Sequence, residues 1–273
     1  MKTKIIVEVG YNHNGKIDIA KQLIDEASKL KVWAVKFQKW DVEGLPDNIK
    51  NQERDVSNSF GKTYYTHRKK LEFSIDQLLE LKEYAENKGL IFICSGKDYN
   101  SIVQLVEAGI KYIKVPSQRL FDNDIFKYLT INKKSKGLFV LVSCGMIEEK
   151  ELKNTSWSKC ADVFFHCISL YNELSADKCQ MSIIRRHNYI NGYSSHEDDG
   201  MAIPISIAMG VEYIERHFTL DKTMKGSDHK ISSTPDEIKF LIKTIESTES
   251  ICGTNYRVLT ENEKKVRNLY RSF

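Results

Sequence analysis

Two lysines, two histidines and a glutamate stand in or at the ends of short apolar runs, with serines at comparable places. They are Glu8 in Val-Glu-Val-Gly, Lys36 and Gln38 in Ala-Val-Lys-Phe-Gln, Ser95, Lys114 and Ser117 in Lys-Val-Pro-Ser, Ser143, Ser169, Ser194 and His196 in Gly-Tyr-Ser-Ser-His, and His217 in Glu-Arg-His. Lysine is a point charge for phosphate and carboxylate, and hydroxyls add directional donors. Lys36 and Lys114 with Ser95, Ser117, Ser143 and Ser194 therefore suit a small ligand carrying both anions. His196 and His217 can share one divalent metal with positions left for water or substrate, which marks a catalytic rather than a structural ion. Glu8 can orient or deprotonate a substrate hydroxyl.

Each residue alone is weak evidence. A strand lysine is more often a snorkelling surface residue, and a strand histidine a hydrogen-bonded core residue. Hydrogen bonding to neighbouring side chains is the alternative for the histidine pair, and metal binding stands ahead of it mainly because no thiolate lies at compatible spacing. The set says more than its members. On strands of one barrel, alternation turns these groups inward at one end. Burying so many without water, metal or ligand would cost at least several (~5) kcal/mol.

The elements that must position them are short and regular. Strand candidates are Ile5–Val9, Ala34–Gln38, Leu90–Cys94, Tyr112–Val115, Leu138–Ser143, Val163–Cys167, Ile190–Ser194 and Glu212–His217. Helix-period stretches lie between them. One carries Ala20, Leu23, Ile24, Ala27 and Leu30, and a second, entered through Ser74, is marked by Ile75, Leu78, Leu79, Lys82 and Ala85. A third enters through Thr234-Pro235 with Asp236 and Glu237 in its first turn, all good helix-start chemistry. Eight βα units in 273 residues are the arithmetic of an α/β protein of the (β/α)8 TIM-barrel class, whose site lies at the C-terminal strand ends. A doubly wound open sheet is the rival. Residues 41–71 read as an extended βα loop on the catalytic face, and residues 253–273 as an extension with a polar helix, within one domain spanning 1–273.

Composition narrows the class. The charge balance is 41 − 37 = +4, too mild to imply nucleic acid. No apolar run approaches the ~20 residues of a membrane span, and Glu8 interrupts the N-terminal run where a signal peptide needs continuity. The six cysteines form no CxxC pair and read as reduced core thiols, so the expected location is cytoplasmic.

At this level the chain resembles the sialic acid synthase (N-acetylneuraminate synthase-like) family over nearly its whole length and in the family's order. The matching pieces are Glu8-Val-Gly-Tyr-Asn-His-Asn-Gly15, Val35-Lys-Phe-Gln38, Lys114-Val-Pro-Ser117, Ser143-Cys-Gly-Met146, His166-Cys-Ile-Ser169, Gly192-Tyr-Ser-Ser-His196, Ile214-Glu-Arg-His-Phe-Thr-Leu-Asp221, Gly226-Ser-Asp-His229 and Ser233-Thr-Pro-Asp236. The resemblance implies a barrel that joins phosphoenolpyruvate to the open-chain aldehyde of an amino sugar such as N-acetylmannosamine, giving a nine-carbon 2-keto acid and phosphate. It implies that Lys36, Ser95, Lys114, Ser117, Ser143, Ser169, Tyr171 and Ser194 hold phosphoenolpyruvate, and that Glu8 and Asp228 contact the sugar. It places Mn²⁺, ahead of Mg²⁺ or Co²⁺, on His196 and His217.

Departures from the pattern concentrate on the sugar side. The family's Ser-Asp-His-Thr reads Ser194-Ser195-His196-Glu197, a family glutamate reads Arg119, its Ser-Thr-Pro-Phe type segment reads Cys94-Ser95-Gly96-Lys97, and a proline reads Asn172. An altered acceptor follows, a different amino or deoxy sugar; a further reading keeps the enzyme and makes the acceptor a shorter aldose phosphate, whose phosphate Arg119 would meet. The competing expectation is a degenerate barrel that binds phosphoenolpyruvate or sugar without catalysis. Glu261–Phe273 resembles the segment leading into the family's antifreeze-like domain, which this sequence does not include. A homodimer is expected, or a separate protein closing the sugar site.

Overall fold

The computed structural model describes residues 2–170, 174–253 and 257–271. Eight strands pair in parallel, each with its sequence neighbours, and the eighth returns to the first, closing a barrel. They are β1 (Lys4–Gly10), β2 (Ala34–Lys39), β3 (Ile91–Gly96), β4 (Tyr112–Val115), β5 (Phe139–Ser143), β6 (Val163–His166), β7 (Gly192–Ser195) and β8 (Tyr213–His217). All eight expected strands are present, and the closed pairing excludes the open sheet.

The helices are α1 (Ile17–Lys29), α2 (Asp47–Lys50), α3 (Tyr64–Leu71), α4 (Ile75–Asn87), α5 (Tyr99–Glu107), α6 (Asn123–Lys136), α7 (Glu149–Asn154), α8 (Ser182–Arg186), α9 (Ala202–Ala208), α10 (Pro235–Cys252) and α11 (Glu261–Tyr270). Their starts follow side-chain chemistry. Ser74 and Thr234 each accept the backbone N–H three residues on, and Gln77 and Glu237 reach back to close capping boxes, satisfying N–H groups that a helix leaves orphaned. The segment expected as a loop over 41–71 contains α2 and α3. None of the described helices is long and apolar enough to cross a membrane.

Two apolar layers result. One lies between barrel and helices and includes Val7, Leu23, Phe92 and Ile214. The other fills the barrel's lower half with Ile6, Ala34, Ile93, Leu141, Phe165 and Tyr213, against Trp33, Tyr112 and Phe139. Alternation then puts Glu8, Lys36, Ser95, Lys114, Ser143, Ser194 and Glu215 one step above this plug. The lower barrel is packed, so any ligand space must lie at the upper, C-terminal end.

Candidate active site

Above the plug opens a cavity of about 690 Å³, counting the part open to solvent. Glu8, Lys36, Gln38, Ser95, Lys114, Ser117, Ser143, Ser169, Ser194, His196 and His217 all line it. Asp228 lies just outside the lining, yet its negative charge acts on His217. Arg119 does not line the cavity. Its Nε donates to the Lys97 carbonyl at 2.8 Å and its guanidinium lies 3.9 Å from Asp122, so the expectation that it meets a substrate phosphate has no support in its placement. Tyr171 and Asn172 lie outside the described residues.

The two cavity lysines are not bare cations. Lys36 Nζ lies 2.5 Å from Glu8 Oε2 and 3.8 Å from Glu215 Oε2. Lys114 Nζ donates to both Glu215 oxygens at 2.6 Å. Glu8, Lys36, Glu215 and Lys114 thus form an alternating chain across β1, β2, β8 and β4, with Ser194 Oγ also donating to Glu215 at 3.0 Å. Desolvation lowers the pKa of Lys36, but Glu215 and Glu8 together outweigh it and leave it raised. Lys114 has one carboxylate to Lys36's two, and there desolvation wins and its pKa is lowered. Desolvation also opposes ionisation of Glu215, yet Lys114 and Lys36 hold its pKa well below the usual carboxylate range.

Register explains how these groups meet. Glu8 lies opposite Lys36 on β2 and opposite His217 on β8, and Ser95 opposite Lys114. Between Glu8 and Gly10 the register of β1 shifts in a bulge. Gly10 has φ +53°, and a Cβ there would sit 3.2 Å from Glu8 Oε1 and 3.3 Å from Gln38 Nε2. The glycine leaves room for Gln38 Nε2 to donate to Glu8 Oε1 at 2.5 Å. At the opposite wall Gly145 N donates to Ser117 Oγ at 2.8 Å. A Cβ on Gly145 would lie 2.3 Å from Ser169 Oγ, so only glycine lets the loops after β4, β5 and β6 converge.

His196 and His217 have ring centroids 5.6 Å apart. His196 Nδ1 lies 2.8 Å from the Ile168 carbonyl; a carbonyl only accepts, so Nδ1 carries the proton and Nε2 the lone pair. Burial lowers the pKa of His196 to about 3, with His217 adding to the effect. Burial also lowers that of His217, against Asp228. Both rings are therefore neutral at physiological pH. Ser195 points away from the cavity: Arg216 Nη1 donates to its Oγ at 2.7 Å outside the barrel, and also to the Glu197 carbonyl. The Glu197 carboxylate turns outward as well, accepting from Tyr193 Oη at 2.8 Å. Neither of the departures flanking His196 therefore lines the cavity.

Sequence reasoning left Glu215, Lys97, Gln118, Met146, Pro116 and Cys167 out of the site, and all six line the cavity. Glu215 carried a readable signal, since it stands two residues before His217 on one strand and shares its inward face.

The NeuB family profile matches residues 23–257. The chain is 36% identical to human N-acetylneuraminate-9-phosphate synthase over 92% of this chain and 71% of that protein. It is 31% identical to the N,N'-diacetyllegionaminic acid synthase of Legionella pneumophila over 98% of this chain and 78% of that protein. Among solved structures, the N-acetylneuraminic acid synthetase of Leptospira borgpetersenii, crystallised in complex with citrate, superposes with a TM-score of 0.82 at 27% identity, covering 100% of this chain and 94% of that one. The match spans barrel and site alike, and the chain belongs to the NeuB family, as an enzyme of the sialic acid synthase type.

Proposed function

We propose that the chain condenses phosphoenolpyruvate with the open-chain aldehyde of an amino sugar. Carbon 3 of phosphoenolpyruvate forms a bond to the aldehyde carbon, water adds at carbon 2, and phosphate leaves with cleavage of its C–O bond, giving a 2-keto-3-deoxy sugar acid. The observation that carries this reading is one cavity floored by two paired lysines, ringed by Ser95, Ser117, Ser143, Ser169 and Ser194, and walled by two neutral histidines. Lys36 and Lys114 supply charge for the phosphate and carboxylate of the first substrate, and the serine hydroxyls fix its orientation. Glu8, held by Lys36 and Gln38, faces the space above and is placed to accept a proton from the acceptor or from water. The Glu8–Lys36–Glu215–Lys114 chain keeps these charges in place before a ligand arrives, so little reorganisation accompanies binding.

The residues also fit a divalent ion. His196 presents a lone pair on Nε2, its tautomer set by the Ile168 carbonyl, the usual outer-shell arrangement of a metal-ligating imidazole. Both rings are neutral, as ligation requires. Among the described residues no group of three His, Cys, Asp or Glu side chains is arranged as a closed metal site, so two histidines would leave positions for water or substrate. Such an ion, Mn²⁺ in the first instance, supplies Lewis acidity toward an aldehyde oxygen.

The test is phosphate release from phosphoenolpyruvate with Mn²⁺ against a panel of amino sugars and aldose phosphates. Release with one aldehyde, lost on chelation and restored by metal, is the expected result. His217→Ala should lower kcat by ~10³-fold or more, the scale of losing a principal electrostatic contributor, and weaken metal uptake. Binding of phosphoenolpyruvate without release under every acceptor would leave a barrel that only binds.

A further inference from the structure

Of the three ammonium groups facing the cavity, two have counter-ions within the fold, Lys36 with Glu8 and Lys114 with Glu215. The third, Lys97, makes no ion pair or side-chain hydrogen bond among the described residues. Its backbone is pinned on both sides, the N–H donating to the Lys39 carbonyl at 2.9 Å and the carbonyl accepting from Arg119 Nε at 2.8 Å. The side chain is thus presented to the cavity from a fixed base.

Lys97 also sits higher than the other two. Lys36 and Lys114 are 4% and 3% exposed on the floor, whereas Lys97 is partly exposed, past Ser95 at the end of β3. Desolvation lowers its pKa to about 8; Lys36 and Arg68 add to the lowering, and Glu8 and Asp228 oppose it. Arg68 reinforces a positive field here. Its guanidinium stacks over Tyr11, Tyr64 and Trp40 at 4.6, 5.2 and 5.4 Å, and its Nε is buried without a hydrogen-bond acceptor.

In a two-substrate condensation the anion bound to the floor lysines must expose its reacting carbon upward, so the acceptor occupies the upper layer. A neutral sugar there would leave the Lys97 ammonium desolvated and unmatched, whereas a phosphate ester matches a point charge of this kind. We propose that Lys97 seats a phosphate group on the acceptor sugar at the end remote from its aldehyde, making the preferred acceptor an amino sugar phosphate. This rests on the synthase reading above. Arg68 acts through the field it adds, as a positioning residue.

Two measurements test this, one independent of turnover. Calorimetry would compare a hexitol 6-phosphate with the same hexitol, neither of which has an aldehyde to react. The phosphate should bind ~10- to 100-fold more tightly, the range of a charge-assisted contact. Lys97→Met should remove most of that preference and Lys97→Arg retain it. In turnover, Lys97→Met should lower the ratio of kcat/KM for the phosphorylated over the unphosphorylated amino sugar by the same factor, with a smaller change in KM for phosphoenolpyruvate. Equal binding of hexitol and hexitol phosphate, or a Lys97→Met effect confined to phosphoenolpyruvate, overturns the assignment while the synthase reading stands. Tight binding of the hexitol phosphate through Lys97, with no phosphate release from phosphoenolpyruvate for any aldehyde, supports the anion seat and refutes the synthase reading instead.

Discussion

Glu215 links the two cavity lysines proposed to hold the anionic substrate. It is 5% exposed and accepts from Lys114 and Ser194 while facing Lys36. Removing one partner of a buried pair leaves a charge without compensation, whereas removing both can be nearly neutral. Glu215→Gln should therefore lower stability by about 3 kcal/mol, and Glu215→Gln combined with Lys114→Met should recover most of that loss without recovering activity. Urea denaturation of the wild type, the two single variants and the double variant closes the cycle. A single-variant cost of less than about 0.5 kcal/mol would show that Glu215 is not the counter-ion the geometry makes it. The face of Glu215 was readable from alternation with His217, but its partnership with Lys114 was not, because it joins residues 101 positions apart. Lys97 was harder still: it stands past the end of β3, where the two-residue period stops and no pattern says which way a side chain turns.

The barrel was legible because every strand is a short β-rich run between polar boundaries, and Ser74 and Thr234 announce their helices by capping chemistry. The segment 41–71 was legible only as an insertion. In α3, His67 and Leu71 are the buried residues, so hydrophobic periodicity is nearly silent, and the helix is held by contacts that sequence spacing does not encode. Arg68 lies among three aromatic rings, Tyr11 just past β1, Trp40 just past β2 and Tyr64 in its own helix. Glu72, just past α3, accepts from Lys39 Nζ and Trp40 N at 2.9 Å and from Tyr11 Oη at 3.2 Å. This carboxylate latches the insertion to the tops of two strands. Glu72→Gln exchanges its charge-assisted bonds for weaker neutral ones, at a cost of about 2 kcal/mol in local opening. Trypsin should then cut the 41–71 segment roughly 30-fold faster under native conditions, if cleavage follows the population of the open form. An unchanged cleavage rate would mean that the aromatic stack around Arg68 holds the segment without the latch.

At the scale of the molecule, the upper barrel is kept polar but uncharged at its histidines, and this sets a pH limit on folding. Burial lowers the pKa of His13 and His196 to about 3 and of His67 to about 4, and lowers those of His166, His217 and His229 as well. His13 shows why. It is 1% exposed, stacks on Phe73 at 4.0 Å, and its Nδ1 accepts from Gly15 N at 3.0 Å. Protonating Nδ1 would break that bond and place a charge among aromatic rings. A depressed histidine pKa means that between about 6.5 and 3 the unfolded chain binds a proton that the folded chain refuses. Stability from this source is complete above the unfolded pKa and is lost as pH falls below it, by about 2.5 kcal/mol for His13 alone between pH 7 and pH 4.5. Urea stability should therefore be nearly flat above pH 7 and fall steeply toward pH 4.5. His13→Asn should be less stable at pH 7 but lose less on acidification, because one proton has been removed from the difference between the two states. Equal slopes for His13→Asn and the wild type would place the acid sensitivity elsewhere among the buried histidines. A slope absent from both would mean that the upper barrel admits water and protons more freely than its burial implies, and the histidines that wall the cavity would then be open to protonation at the same pH.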